Sequence, residues 1–259
     1  MSTTNGTGVR TGTPESAVAG VSLDRRGNVA TIRLDAPRRN ALTPEFALGI
    51  RTALETAEND PEIGAVVIAS AGKDYCSGAD LSMLTEVAAD PLEDVNFAAI
   101  GTIYGLFEHL RNSTLPTISA VNGAVVGAGM NLPLACDLRI VSDDVRIRGF
   151  GKAGVHPGGG HLTMLTQHLS SAAAAAVALF DQEMDAERAV ASGFAWTWVP
   201  VTELLDTAVR IAQSVAGDPA LSRSVTWTYR AVGESAPTPR AGVLLERAAQ
   251  LWSMQRKLG

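Results

Sequence analysis

Several classes of protein are excluded by what this 259-residue chain does without. Two cysteines, Cys76 and Cys136, make no disulfide framework, so a reducing, cytoplasmic setting is expected. No stretch reaches the roughly 18 consecutive apolar residues of a membrane helix. The Ala-rich run 172–179 is too short and reads as a buried helix. The opening MSTTNGTGVRTGTPESAVAG lacks an apolar signal core, and residues 1–17 read as a flexible tail. Cationic residues are not in excess: 21 Lys+Arg against 27 Asp+Glu give a net charge of −6, which argues against nucleic acid or a membrane surface as partner. There is no G-x-S-x-G, no Walker A, and no Cys/His set with zinc spacing, so no metal is expected. Gly127-Ala128-Gly129 is half a dinucleotide fingerprint, but Leu132 stands where the third glycine belongs.

What is present is an ordinary globular composition, 46% hydrophobic and 19% charged, with a β/α rhythm. Residues 18–24 and 29–34 read as a hairpin, and 43–58 as a helix with Thr43 as N-cap and Pro44 first. Strands are expected at 65–69, apolar on both faces, and at 117–121, 138–141 and 145–148, with a helix at 97–111. Alternation of this kind indicates right-handed crossovers in an α/β core. Beyond Gly160 the pattern turns helical at 162–169, 171–180, 185–192, 202–216, 220–231 and 238–258, with only 194–199 extended. The domain reading is a tail at 1–17, a β/α core at 18–200 and a helical region at 201–259.

The most informative stretch is LPTISAVNGAVVGAGMNLPLACD, residues 115–137. A β-type run, a turn at Asn122-Gly123, a small-residue loop and a helix opening near Gly129 leave backbone N–H groups in a row. Such a place suits negative charge developing on an oxygen.

Three segments, in order, resemble the crotonase, or enoyl-CoA hydratase/isomerase, superfamily: LDAPRRNALTPEF from Leu34, GKDYCSGADL from Gly72, and the stretch above continued by RGFGKAGVHPGGG from Arg148. The resemblance spans about residues 18–259 and implies an α/β fold. That fold is a spiral of ββα units with a helical C-terminal trimerisation region, as a homotrimer or dimer of trimers. It further implies a CoA thioester as substrate with no tightly bound cofactor, and an oxyanion hole from the N–H groups of Ala79 and Ala128. Arg38, Arg39 and Lys73 become expected phosphate partners, with Ala41 and Ser77 offering backbone contacts to the adenine end and Asp80 beside them.

Hydratases of this family place two glutamates about the substrate, and this chain has Asn131 and Phe150 in their places. An Asn orients water but accepts no proton at neutral pH. His156, on the loop before Pro157, is the replacement expected from the sequence. His161 reads as a cap or core contact, His109 and His168 as structural, and Asp80 as a helix cap. Three readings follow: enoyl-CoA hydratase-like chemistry with Ala79, Ala128, Asn131 and His156; thioester hydrolysis or isomerisation using His156; and an acyl-CoA-binding protein without turnover.

Overall fold

The computed structural model describes residues 20–235 and 238–256. The tail read at 1–17 lies outside the described residues, as do the ends of the first strand and last helix. The chain opens with a hairpin, β1 (Val21–Arg26) and β2 (Val29–Leu34), paired antiparallel. A turn, α1 (Pro37–Asn40), and a helix, α2 (Pro44–Asn59), lead to β3 (Ala65–Ser70). Two helices follow, α3 (Leu81–Ala89) and α4 (Asp94–Arg111), then β4 (Thr117–Val121) and the short β5 (Ala124–Val126). After α5 (Asn131–Ala135) come β6 (Leu138–Ser142) and β7 (Arg146–Arg148). The remainder is α6 (His161–His168), α7 (Ser171–Phe180), α8 (Ala186–Ser192), β8 (Thr197–Val199), α9 (Leu204–Ala216), α10 (Pro219–Ser235) and α11 (Pro239–Gln255).

Six strands form one sheet in the order β1-β2-β3-β4-β6-β8, parallel after the first hairpin. A second layer runs beside it. Cys76 bridges Val125, β5 pairs with β7, and Ile147 bridges Met184. Each of β3, β4 and β6 is thus followed at once by a short segment in the second layer. This is the expected repeat of two β segments and a helix, wound as a spiral.

Alternation along β3 explains its unbroken apolar run. Val66 and Ile68 join the larger core with Phe46, Ile50 and Leu54 of α2 and Leu106 and Leu110 of α4. Ala65, Val67 and Ala69 face the other way and meet Leu204, Ala208 and Ala212 of α9. Each fully buried Val, Leu or Ile stabilises by about 1.5–3 kcal/mol. The helical region read from residue 201 therefore begins with a helix that closes the sheet's second face, while α10 and α11 pack on each other beyond it.

Three details differ from the sequence reading. The helix expected near Gly129 is a 3-10 turn, Gly127–Met130, followed by a five-residue α-helix that ends at Cys136, so little helix dipole stands behind the loop. The loop read at 233–239 is shorter, because α10 continues to Ser235 and α11 starts at Pro239. The extended stretch read at 194–199 pairs only from Thr197, since Trp196 donates to the Arg139 carbonyl before the ladder begins. Asp137 fixes the turn into β6 by accepting from Thr117 N and Oγ1 at 2.8 and 2.9 Å, and it pairs with Arg230 of α10.

The Thr43 cap is in place: its hydroxyl accepts from the Phe46 amide at 3.2 Å, with Pro44 first in the helix. Thr43→Ala should lower stability by about 1 kcal/mol in urea unfolding, with an unchanged denaturant slope.

Candidate functional site

The turn at Pro37–Asn40 carries three consecutive residues in the left-handed region: Arg38, Arg39 and Asn40 have φ of 54°, 61° and 57°. Non-glycine residues adopt this backbone at a cost, and side-chain hydrogen bonds must hold it. Buried Asn40 does so: Oδ1 accepts from Ala36 N at 2.7 Å, while Nδ2 donates to Ser70 Oγ at 3.0 Å and Tyr75 O at 2.9 Å. The Ser77 hydroxyl donates to Arg38 O at 2.8 Å, and Ser77 N to Arg39 O at 3.0 Å. Leu42 N and Asp80 N complete a short parallel bridge across Gly78–Asp80.

That bridge uses the Gly78 carbonyl and the Asp80 N–H and leaves the Ala79 N–H without a main-chain acceptor among the described residues. The Ala128 N–H is in the same condition, because it opens the 3-10 turn. The two loops are bound to each other: Val126 N donates to Cys76 O at 3.1 Å. A Cβ on Gly129 would stand 2.5 Å from the Cys76 carbonyl oxygen, and one on Gly78 would stand 2.7 Å from Val126 O and 3.7 Å from the Ala128 nitrogen. Glycine at both positions permits this closeness. The Cys76 thiol is buried, donates to Asn40 O, and is pushed by burial up to about 12, so it serves packing and not nucleophilic chemistry.

Asp80 is buried and caps α3 by accepting from Ser82 and Met83 N at 3.0 and 3.2 Å, as the sequence suggests. It also pairs with Arg38 at 2.8 Å, and Arg39 approaches Asp74 at 3.7 Å. The two guanidinium groups are mostly exposed, and Lys73 lies exposed on the neighbouring loop. Ala41, Arg38, Asp80, Pro37 and Thr43 line a cavity of about 350 Å³ on this side. Arg38 and Ala41 thus share this cavity, Ser77 is tied to the Arg38 and Arg39 carbonyls, and Lys73 precedes Asp74, the carboxylate that Arg39 approaches.

Asn131, three residues beyond Ala128, is fully buried. Its Nδ2 donates to Gly158 O at 2.9 Å, and its Oδ1 faces His161 Nδ1 at 2.8 Å. Phe150 stands edge-on to the His161 ring, 4.8 Å between centroids, and lies about 3.8 Å from where a Gly127 Cβ would be. Asn131 and Phe150, the two positions singled out in the sequence, thus set an amide and a phenyl ring against the His161 imidazole. His156 is exposed, and its Nδ1 contacts its neighbour's carbonyl, Pro157 O, at 2.7 Å. The imidazole that meets Asn131 is His161.

Sequence reasoning set His161 aside as a cap or core contact. The signal that could have found it is Gly159-Gly160 before it: both have positive φ, and any side chain on Gly159 would strike Asn131 Nδ2 and the Phe107 ring at 2.9 Å. Burial pushes His161 down to about 4 and leaves its Nε2 without a hydrogen-bond partner among the described residues. Leaving such an acceptor unmade costs about 1–3 kcal/mol, which evolution retains mainly at working sites. Along α4, Ile103 and Phe107 are core, Phe97 is exposed, and Tyr104 and Phe107 line a cavity of about 320 Å³ with Gly159, Gly160 and Met164. His109 pairs with Glu58, and His168 Nε2 donates to Leu134 O at 3.0 Å, so both are structural.

His168 is also pushed down to about 4, by burial first and by nearby Arg139. Both histidines stay neutral when folded, while the unfolded chain takes up their protons near the ordinary pKa of about 6.5. The unfolded state then binds more protons, so stability is full above about pH 6.5 and falls as pH drops towards 4. Urea midpoints at pH 7 and pH 5 should show the lower value at pH 5, and His161→Phe should shrink the difference (both as order-of-magnitude expectations).

Comparison with known proteins gives the family of the chain. The enoyl-CoA hydratase/isomerase family model matches residues 24–241. A protein of Mycobacterium tuberculosis described as a probable enoyl-CoA hydratase is 40% identical over 225 residues, covering 85% of this chain and 82% of that one. The short-chain-enoyl-CoA hydratase of Clostridium acetobutylicum is 30% identical over 204 residues, covering 76% of each. Among solved structures, an enoyl-CoA hydratase from Polaromonas superposes with a TM-score of 0.83 at 26% identity, over 90% of this chain and 91% of that one. A Thermobifida fusca protein of the same type, in complex with acetoacetyl-CoA, gives 0.77 at 27% identity, over 92% and 96%. The chain belongs to the crotonase superfamily, in its enoyl-CoA hydratase/isomerase family.

Proposed function

We propose that this protein acts on an acyl- or enoyl-CoA thioester and stabilises its enolate between the N–H groups of Ala79 and Ala128. The observation that carries this reading is the pair of unbonded amides on loops held together by Val126 N and Cys76 O. A thioester oxygen receiving both amides becomes a better electron sink, so its α-proton grows acidic and its β-carbon electrophilic. Arg38, Arg39 and Lys73 serve the CoA phosphates, and Ala41, Ser77 and the Asp80-held turn shape the adenine side. The substrate is a small molecule, the setting cytoplasmic, and the assembly a homotrimer or dimer of trimers. Exposed Val225, Trp227, Tyr229 and Trp252 on α10 and α11 suit subunit burial.

Hydration that uses two carboxylates is not supported, since Asn131 and Phe150 hold those positions. Proton transfer within the acyl chain fits the hole better than addition of water. One observation favours a second reading, binding without turnover: the Phe150 ring covers Gly127 beside the Ala128 amide. His156, exposed at the loop, remains the sequence-based candidate for proton handling under the hydrolysis or isomerisation reading.

The test is an acyl-CoA panel of saturated, 2-enoyl, 3-enoyl and 3-hydroxy thioesters, followed by mass spectrometry and the 2-enoyl absorbance. Turnover of an enoyl-CoA is expected, and Gly129→Ala should lower its rate about 10²–10³-fold by parting the two loops. Tight acyl-CoA binding with no product across the panel would favour the binding protein. Lack of any binding would reject the reading altogether.

A further inference from the structure

The hydrogen bonds around Asn131 allow one proton arrangement. The Gly158 carbonyl can only accept, so the Asn131 amide nitrogen faces it. Oδ1 of Asn131 therefore faces His161 Nδ1 and can only accept, which puts the proton of the neutral imidazole on Nδ1. The free lone pair is left on Nε2, sealed from solvent and without a partner among the described residues. The ring touches Phe150, which in turn lies over Gly127 beside the Ala128 amide, and a cavity nearby is lined by Gly160, the N-cap of α6, and by Met164, three residues beyond His161.

Resting on the enolate reading above, we propose that His161 is the base of this site, with Asn131 as the positioning residue that fixes its tautomer: when the packing that seals Nε2 opens to admit the acyl chain, Nε2 takes the α-proton of the bound thioester. The Cα–H bond breaks and the proton moves to Nε2. The electron pair enters the Cα–C bond, and the carbonyl π pair moves onto the oxygen held by Ala79 and Ala128. Return of the proton to Cα restores the substrate. Where the chain carries a double bond between Cβ and Cγ, return to Cγ gives the 2-enoyl thioester. No water is consumed and nothing is oxidised.

Two further facts agree with this step. Burial is the cause of the low basicity of His161, near 4, and no charged side chain contributes. That value is close to the ~4.3 of an ordinary glutamate, so the buried imidazole matches in strength the carboxylates whose places are lost. Once protonated it is a cation beside an enolate, which favours the transfer. Phe150, packed edge-on against it, occupies space that a second acid and its water would need, and this selects proton transfer over hydration.

The experiment uses the whole protein. Butyryl-CoA is incubated in D₂O and its deuterium content followed by mass spectrometry, and 3-hexenoyl-CoA is followed for 2-enoyl absorbance. Wild type should exchange and isomerise, and His161→Gln should lose about 10²–10⁴-fold of both while binding butyryl-CoA within a few-fold by calorimetry. Asn131→Asp should raise the basicity of His161 by placing a carboxylate on Nδ1–H, and so move the acidic limb of the rate profile to higher pH. A purely structural Asn131 would leave that limb in place, and this variant decides the matter if His161→Gln does not fold. Undiminished exchange in His161→Gln, an unmoved limb in Asn131→Asp, or a wild type that binds butyryl-CoA without exchanging it each overturns the proposal. Loss of exchange in Gly129→Ala together with undiminished exchange in His161→Gln would spare the enolate reading and reject His161 alone.

Discussion

The contact between two backbone loops, one running through Cys76–Ala79 and the other through Val126–Gly129, is the constraint on which the candidate site depends. Val126 N reaches Cys76 O, and glycine at 78 and 129 lets the peptide planes come closer than any side chain allows. The bonds that join the loops, Val126 N to Cys76 O and Cys76 N to Ala124 O, use neither the Ala79 nor the Ala128 N–H, and those two amides are left over among the described residues. The free pair is thus a by-product of how the spiral's second layer continues its ladder from Cys76 to Val125 to Ile147. Moving the loops apart would break the ladder and the amide pair together.

The rest of the molecule holds those loops. The sheet is buried on both faces, by α2 and α4 on one side and α9 on the other, so the strands that feed the loops cannot shift independently. The Pro37–Asn40 turn stores backbone strain, and Asn40 spends its amide on three elements to keep it. One consequence is that Arg38 and Arg39, adjacent in the chain, reach two different carboxylates, Asp80 and Asp74. Cationic charge is gathered locally in a chain that is acidic as a whole.

Much of this was legible in the sequence, element by element. Thr43-Pro44, the two-faced apolar run of β3 and the Ser171–Phe180 helix follow from capping and periodicity, which are local physics. Of the second layer, β7 falls within the strand read at 145–148, but β5 was not legible, because it is three residues long and an isolated bridge such as Cys76 to Val125 carries no periodic signal. The length of the helix at Gly129 was misread for a similar reason: a small-residue run does not say where a 3-10 turn gives way to an α-helix.

The sequence by itself determined the chemistry available: two small-residue loops with glycine where backbones must meet, basic residues near the first loop, and an amide and a phenyl ring at positions 131 and 150. Only the tertiary structure decided which imidazole meets Asn131. His156 and His161 stand five residues apart, one on the loop and one at the start of α6, and the sequence reading preferred His156. The left-handed glycines at 159 and 160 turn the chain so that His161 is buried against Asn131, thirty residues earlier, while His156 stays in solvent. A pairing across that distance is set by packing of α5 against α6, and no rule of local propensity contains it.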